Sequence, residues 1–312
     1  MAPNCNTNNC IPDTRATTAA VAKVLNAAKV PNVLWGWQAV GLLGVDYKYP
    51  EIDIIVIKQH IKRASKALAA AGYTRCTDTI CSTKSNDGHC HLAADDHFHS
   101  DAAHLHYDKD WRSTGFAGIR LYSKARLLWW IPDNRLETME DRAVDALFMT
   151  TTDELIPELD ERTWASGTGR WDGVPDAGGF RMLRPAPFFE ALQLLMCLYY
   201  YGVETQGNAF SDMWCGNLLS ETNNGIVQEV EEKLSPEFWR VWDYVKKVES
   251  DQERERDQNS YPVLRLRERL LTGNLHQSTY HSPLPVENRV GRQQLPELDV
   301  DPDYVVKRKR QG

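Results

Sequence analysis

The segment Glu51-Ile52-Asp53-Ile54-Ile55-Val56-Ile57 is apolar and β-branched apart from two acids, which lie two positions apart. β-Branched residues favour strands, and residues two apart on a strand point to the same side. The segment therefore predicts a strand that presents both carboxylates on one face. Two such carboxylates can share a divalent metal, since Mg²⁺ is usually held by one or two carboxylates together with substrate phosphates. A solvated strand face is the alternative interpretation of the pair.

The apolar spacing around this segment predicts a mixed α/β (α+β) domain followed by a helical domain. The predicted strands are 32–36, 51–57, 103–107, 117–122 and 127–131. The predicted helices are 17–29, 37–43, 58–71, 135–149, 188–201, one starting at Ser235, and 263–271. The resulting division is a flexible N-terminus (1–16), the α/β domain (17–135), the helical domain with a Gly-rich loop at 164–187 (136–275), and a partly disordered tail (276–312).

The composition and net charge of the chain limit the kinds of molecule that we expect it to bind. The chain has 312 residues, 36 Lys and Arg against 43 Asp and Glu, and a net charge of −7. An acidic chain argues against a nucleic-acid coat protein and favours a small-molecule substrate. No signal peptide or long apolar span is evident, so we expect a cytoplasmic protein with no membrane partner and with mostly reduced cysteines. The basic run 307–310 is a weaker nuclear signal, and a charge-balanced tail is the alternative.

Trp35-Gly36-Trp37 precedes the acid strand by 13 residues. A glycine at a strand-to-helix turn lets phosphates approach the backbone. This arrangement resembles the polymerase-beta-like nucleotidyltransferase superfamily, and within it fungal nucleotidyltransferase-like proteins. The resemblance implies a small mixed sheet with flanking helices and transfer of a nucleotidyl group to a small-molecule acceptor. It also implies Mg²⁺ or Mn²⁺ at the catalytic acids Glu51 and Asp53, with a nucleoside triphosphate near Gly36 and Trp37.

The superfamily carries a third carboxylate on a later strand, and the chain departs from it there. The predicted strand 103–107 has His104 and His106 in that place, with Asp101 and Asp108 at its margins. His106 is a candidate metal ligand beside Glu51 and Asp53, and both histidines are candidate acid–base groups. Two further hypotheses follow. One is a biosynthetic enzyme of the same fold that uses Asp and His residues without a triphosphate, and the other is an inactive binding or regulatory module.

Six of the nine histidines fall within 89–106 as pairs spaced two apart: His89, His91, His97, His99, His104 and His106. On a strand such a pair can chelate one transition metal. The alternative is that 84–102 is an exposed polar loop whose histidines are incidental.

A separate hypothesis places a small structural zinc site at Cys76, Cys81, Cys90 and His91. The alternative is that these are reduced cysteines on a strand and loop.

Four more residues are candidates for ligand contacts. Arg120 and Lys124 lie on or near a predicted strand and could hold a phosphate or carboxylate, although a solvated strand face is the alternative. Arg170 and Trp171 belong to the Gly-rich loop, which could close over a substrate. A surface loop with its tryptophan packed on the core is the alternative.

Overall fold

The computed structural model describes residues 14–44, 51–77, 81, 94–99, 118–137, 146–158, 169–174, 180–198, 224–243, 261–272 and 275. Within them the fold is mixed α/β: six strands form one sheet with helices packed against it. This confirms the predicted fold class.

The strands are β1 (Asn32–Trp35), β2 (Glu51–Val56), β3 (Asp96–Phe98), β4 (Gly118–Ser123), β5 (Phe148–Thr150) and β6 (Arg181–Leu183). Their order across the sheet is β3-β4-β2-β1-β6-β5. β2 pairs with β4 in parallel, and β1 pairs with β6 in parallel. The remaining neighbours, β1–β2, β3–β4 and β5–β6, are antiparallel.

The helices are α1 (Thr14–Ala27), α2 (Gly36–Leu42), α3 (Ile61–Ala70), α4 (Lys124–Leu127), α5 (Asp133–Glu137), α6 (Pro185–Leu198), α7 (Asn224–Lys233) and α8 (Tyr261–Thr272). Short 3₁₀ turns occupy Lys58–His60 and Pro236–Phe238. The predicted helices 17–29, 37–43, 58–71, 188–201 and 263–271 are each confirmed in position to within three residues. The helix predicted from Ser235 begins as the second 3₁₀ turn and continues as helix over 239–243.

Every residue of β1, β2 and β4 is buried. The sheet is therefore covered on both faces at its centre, where β2 and β4 pair in parallel. α6 covers part of it, with the rings of Trp35 and Phe188 5.0 Å apart between centroids. Because Glu51 and Asp53 are only 5% and 3% exposed, the solvated-face interpretation of the acid pair is wrong.

The sheet continues past residue 135, where the sequence predicts a domain boundary. β5 lies at the end of the predicted helix 135–149, and β6 lies inside the predicted loop 164–187. Each has only three residues, which is too short for a period-two pattern to stand out. The predicted strand 127–131 is also wrong: 124–127 is a short helix, and Leu128, Trp130 and Ile131 after it are buried in turns and bends.

Among the described residues, no helix combines the length and apolarity needed to cross a bilayer. The predicted strand 103–107, residues 1–13 of the predicted N-terminal segment, and the predicted tail 276–312 lie outside the described residues.

Candidate functional site

The strand register brings three polar residues side by side on one sheet face, from the edge strand β3 inward to β2. Asp53 of β2 pairs with Arg120 of β4, and Arg120 pairs with His97 of β3. Glu51 pairs with Gly118, which lies close to His99: a Cβ placed on Gly118 would be 3.3 Å from the Cβ of His99. The acid pair and the histidine pair therefore flank Arg120 on opposite sides.

Arg120 forms ion pairs with both acids of β2. Its Nε donates to Asp53 Oδ1 at 2.6 Å, and its Nη2 donates to Asp53 Oδ2 at 2.9 Å and to Glu51 Oε2 at 2.6 Å. All three side chains are at most 5% exposed. A planar guanidinium matches a carboxylate in this two-bond arrangement, and the low dielectric of the interior strengthens each bond.

Arg120 keeps its positive charge at neutral pH. Burial by itself lowers the pKa of Arg120, but the negative charges of Asp53 and Glu51 outweigh burial and raise it well above its usual range. Burial also raises the pKa of Tyr122, the next residue on the same face of β4, so its hydroxyl stays protonated. Arg120 is thus a permanent cation held by the two carboxylates.

Gly36 makes room for the Asp53 carboxylate. Trp35 pairs with Asp53 across β1 and β2, so α2 begins directly beside it. Gly36 has φ +68°, and a Cβ at this position would lie 2.2 Å from Asp53 Oδ2. The space at this glycine is occupied by a carboxylate of the same chain, which is a different role from the predicted approach of phosphates.

The other predicted ligand-binding residues also have partners within the chain. Trp37 is 2% exposed and belongs to the core. Lys124 pairs with Asp133 at 2.6 Å. Arg170 pairs with Asp172 and lies 3.5 Å from Glu158, while Trp171 is buried, with its ring 6.4 Å from that of Phe180 between centroids. The alternative interpretation, a loop whose tryptophan packs on the core, therefore describes Trp171.

A second group of side chains gathers at the edge of the sheet next to Arg120. One ligand atom from each of Cys76, Cys81, His97 and His99 lies within 4.8 Å of the others, and this cluster could hold a metal ion. Cys81 Sγ is 3.3 Å from His99 Nε2, and the two imidazole centroids are 5.2 Å apart. Cys76 is half-buried and the other three are buried. Neither cysteine is in a disulfide.

Backbone hydrogen bonds between residues 74–76 and β3 position the Cys/His cluster. Cys76 N donates to His97 O at 3.1 Å, and His99 N donates to Thr74 O at 3.0 Å. An isolated antiparallel bridge joins Arg75 to Phe98 between them. The segment after α3 therefore runs beside β3 and sets Cys76 against His97.

Asp96 anchors the same region from the opposite face of β3. Its carboxylate accepts hydrogen bonds from the backbone N of His97 at 2.9 Å, from Arg75 Nε at 3.0 Å and from the hydroxyl of Ser65 on α3. The buried carboxylate thus links β3, the segment after α3 and α3 itself. These contacts hold the backbone that carries two of the four potential metal ligands.

Only part of each predicted metal site lies within the described residues. Cys76 and Cys81 are brought together as predicted, and the histidines that join them are His97 and His99. Cys90 and His91 lie outside the described residues, as do His104, His106, Asp101 and Asp108. His97 and His99 are 2% and 3% exposed, so the exposed-loop interpretation is wrong for them. The sequence signal was a pair of cysteines followed, after 15 intervening residues, by His-Phe-His.

Comparison with models of known protein families, with curated proteins and with solved structures gave no match to the chain.

The need for a glycine beside the Asp53 carboxylate can be tested through the free energy of unfolding. Gly36→Ala should lower the free energy of unfolding by about 2 kcal/mol or more, because it adds left-handed backbone strain and displaces the Asp53 carboxylate. Gly173→Ala is the matched control: its φ is +76°, and nothing lies within 4 Å of the added Cβ. Chemical denaturation of both variants separates the two effects. Equal losses would show that the Asp53 carboxylate does not need the space at Gly36.

Proposed function

We propose that this protein binds zinc, with Cys76, Cys81, His97 and His99 holding one Zn²⁺ ion. The observation that supports this is the gathering of four ligand atoms, two sulfurs and two imidazole nitrogens, within 4.8 Å of one another. Four tetrahedral ligands at zinc bond lengths lie about 3.3–3.8 Å apart. A contraction of about 1 Å is then enough to close the cluster around the ion.

The donor set favours zinc over the ions that the acid pair would take. Thiolate and imidazole ligands suit Zn²⁺, whereas Mg²⁺ and Mn²⁺ prefer oxygen. A site in which the protein supplies all four ligands keeps no position for water or substrate, and such closed sites are structural. The ion would carry two thiolates, so that a neutral centre would lie beside Arg120.

The proposed zinc ion stabilises the edge of the sheet. β3 has three residues and lies at one end of the strand order. Cys76 and Cys81 come from the segment after α3, and the two histidines come from β3 and the residue that follows it. A metal bond to each of these segments would link positions more than fifteen residues apart. Metal binding would then contribute directly to folding stability.

The purified protein should contain one zinc per chain, and Cys81→Ser or His99→Gln should lose it together with a large part of the thermal stability. Cys197→Ala is the matched control, because Cys197 is also buried but belongs to α6. Elemental analysis and thermal denaturation of the same samples provide both readouts. A wild-type protein that is folded and fully reduced but takes up no added zinc would contradict the proposal.

A second candidate function is a binding or regulatory module without nucleotidyl transfer. The observation that favours it is the position of Arg120, which pairs with both predicted catalytic acids. A Mg²⁺ ion therefore does not fit the acid pair as it stands. The hypothesis of an enzyme that uses His104 and His106 depends on residues outside the described ones and stays a prediction.

Nucleotide binding distinguishes this module from a transferase. We expect no thermal shift of the wild type with any of the four nucleoside triphosphates and Mg²⁺. A ligand at 100 times its Kd would stabilise the protein by about 2.7 kcal/mol, which is easily seen. A shift that requires Mg²⁺ and disappears in Asp53→Asn would instead support the transferase.

A further inference from the structure

The guanidinium of Arg120 lies where one cation can contact both acids. Nη2 is 2.6 Å from Glu51 Oε2 and 2.9 Å from Asp53 Oδ2, which makes it the bridging atom between the two residues. Nε engages the second oxygen of Asp53 at 2.6 Å. A Mg²⁺ ion that bridged the same carboxylates would need contacts of about 2.0–2.1 Å and would have to lie at the position of Nη2.

Burial and charge keep the Arg120 guanidinium between the two carboxylates. Arg120 is 2% exposed, so its guanidinium has no water to move into without opening the sheet. An arginine does not lose its proton in a protein, and a divalent ion placed beside it would be repelled. β2 and β4 also pair over six residues around Asp53 and Arg120, which fixes the two side chains relative to each other.

We propose that Arg120 takes the place of a divalent cation between Glu51 and Asp53, so that the acid pair holds this arginine and binds no metal. The two acids then join β2 to β4 through a charge that belongs to the chain itself. Zinc at the Cys/His cluster and the cation role of Arg120 involve different side chains, so either can hold without the other.

The test is Mn²⁺ binding to wild type, to Arg120→Met and to the neutral triple variant Glu51→Gln/Asp53→Asn/Arg120→Met. Mn²⁺ prefers oxygen ligands and is counted by electron paramagnetic resonance. We expect one tightly bound Mn²⁺ in Arg120→Met, and none in the wild type beyond the level of the triple variant. Zinc content measured on the same samples reports separately on the Cys/His cluster.

The Arg120→Met variant is expected to be less stable, since two buried carboxylates are left without a cation. Thermal denaturation therefore provides a second readout of Mn²⁺ binding. Added Mn²⁺ should raise the melting temperature of this variant and leave the wild type and the triple variant unchanged. Two results would overturn the proposal. One is a stoichiometric Mn²⁺ in the wild type that the triple variant lacks. The other is an Arg120→Met protein that neither binds Mn²⁺ nor is stabilised by it.

Discussion

A buried arginine held between two carboxylates organises the centre of this sheet. Asp53 and Arg120 are 67 residues apart in the chain and meet because β2 and β4 pair in parallel. Breaking a buried ion pair by removing one partner typically costs about 3–5 kcal/mol, since the other charge is left uncompensated. The ion pair also constrains Gly36, which must lack a side chain so that the Asp53 carboxylate can lie next to Arg120. The start of α2 at Gly36 therefore depends on the same interaction.

The Cys/His cluster extends this arrangement to the edge of the sheet. His97 is the register partner of Arg120, and Asp96, on the opposite face of β3, fixes the backbone beside it. The fold thus places an oxygen-rich pair and a sulfur- and nitrogen-rich cluster on either side of one cation. Zinc prefers the sulfur and nitrogen ligands of the Cys/His cluster. The acid pair already holds a positive charge, the guanidinium of Arg120. The proposed metal preference of the protein follows from this separation.

Long or strongly patterned elements were predictable from the sequence, and long-range partners were not. β2 was evident from its β-branched residues, and α6 from its apolar composition. For Arg120 the sequence predicts a phosphate or carboxylate ligand or a solvated strand face, because nothing local shows that a strand 67 residues away supplies its counter-charges. For His97 and His99 the sequence leaves a metal-chelating strand pair and an exposed polar loop both open, because β3 has only three residues and the pattern around it is polar. β5 and β6 were missed for the same reason of length, so the sheet extends beyond the predicted boundary.

One crystallographic measurement addresses the central claim, that zinc binds the Cys/His cluster while Arg120 occupies the acid pair. Crystals of the zinc-loaded protein grown with excess Mn²⁺ can be measured at the absorption edges of both metals. We predict one zinc peak among Cys76, Cys81, His97 and His99, and no manganese peak between Glu51 and Asp53, where the Arg120 guanidinium should appear in the density. A manganese peak between the two acids with Arg120 displaced, or a cluster without zinc, would contradict the account.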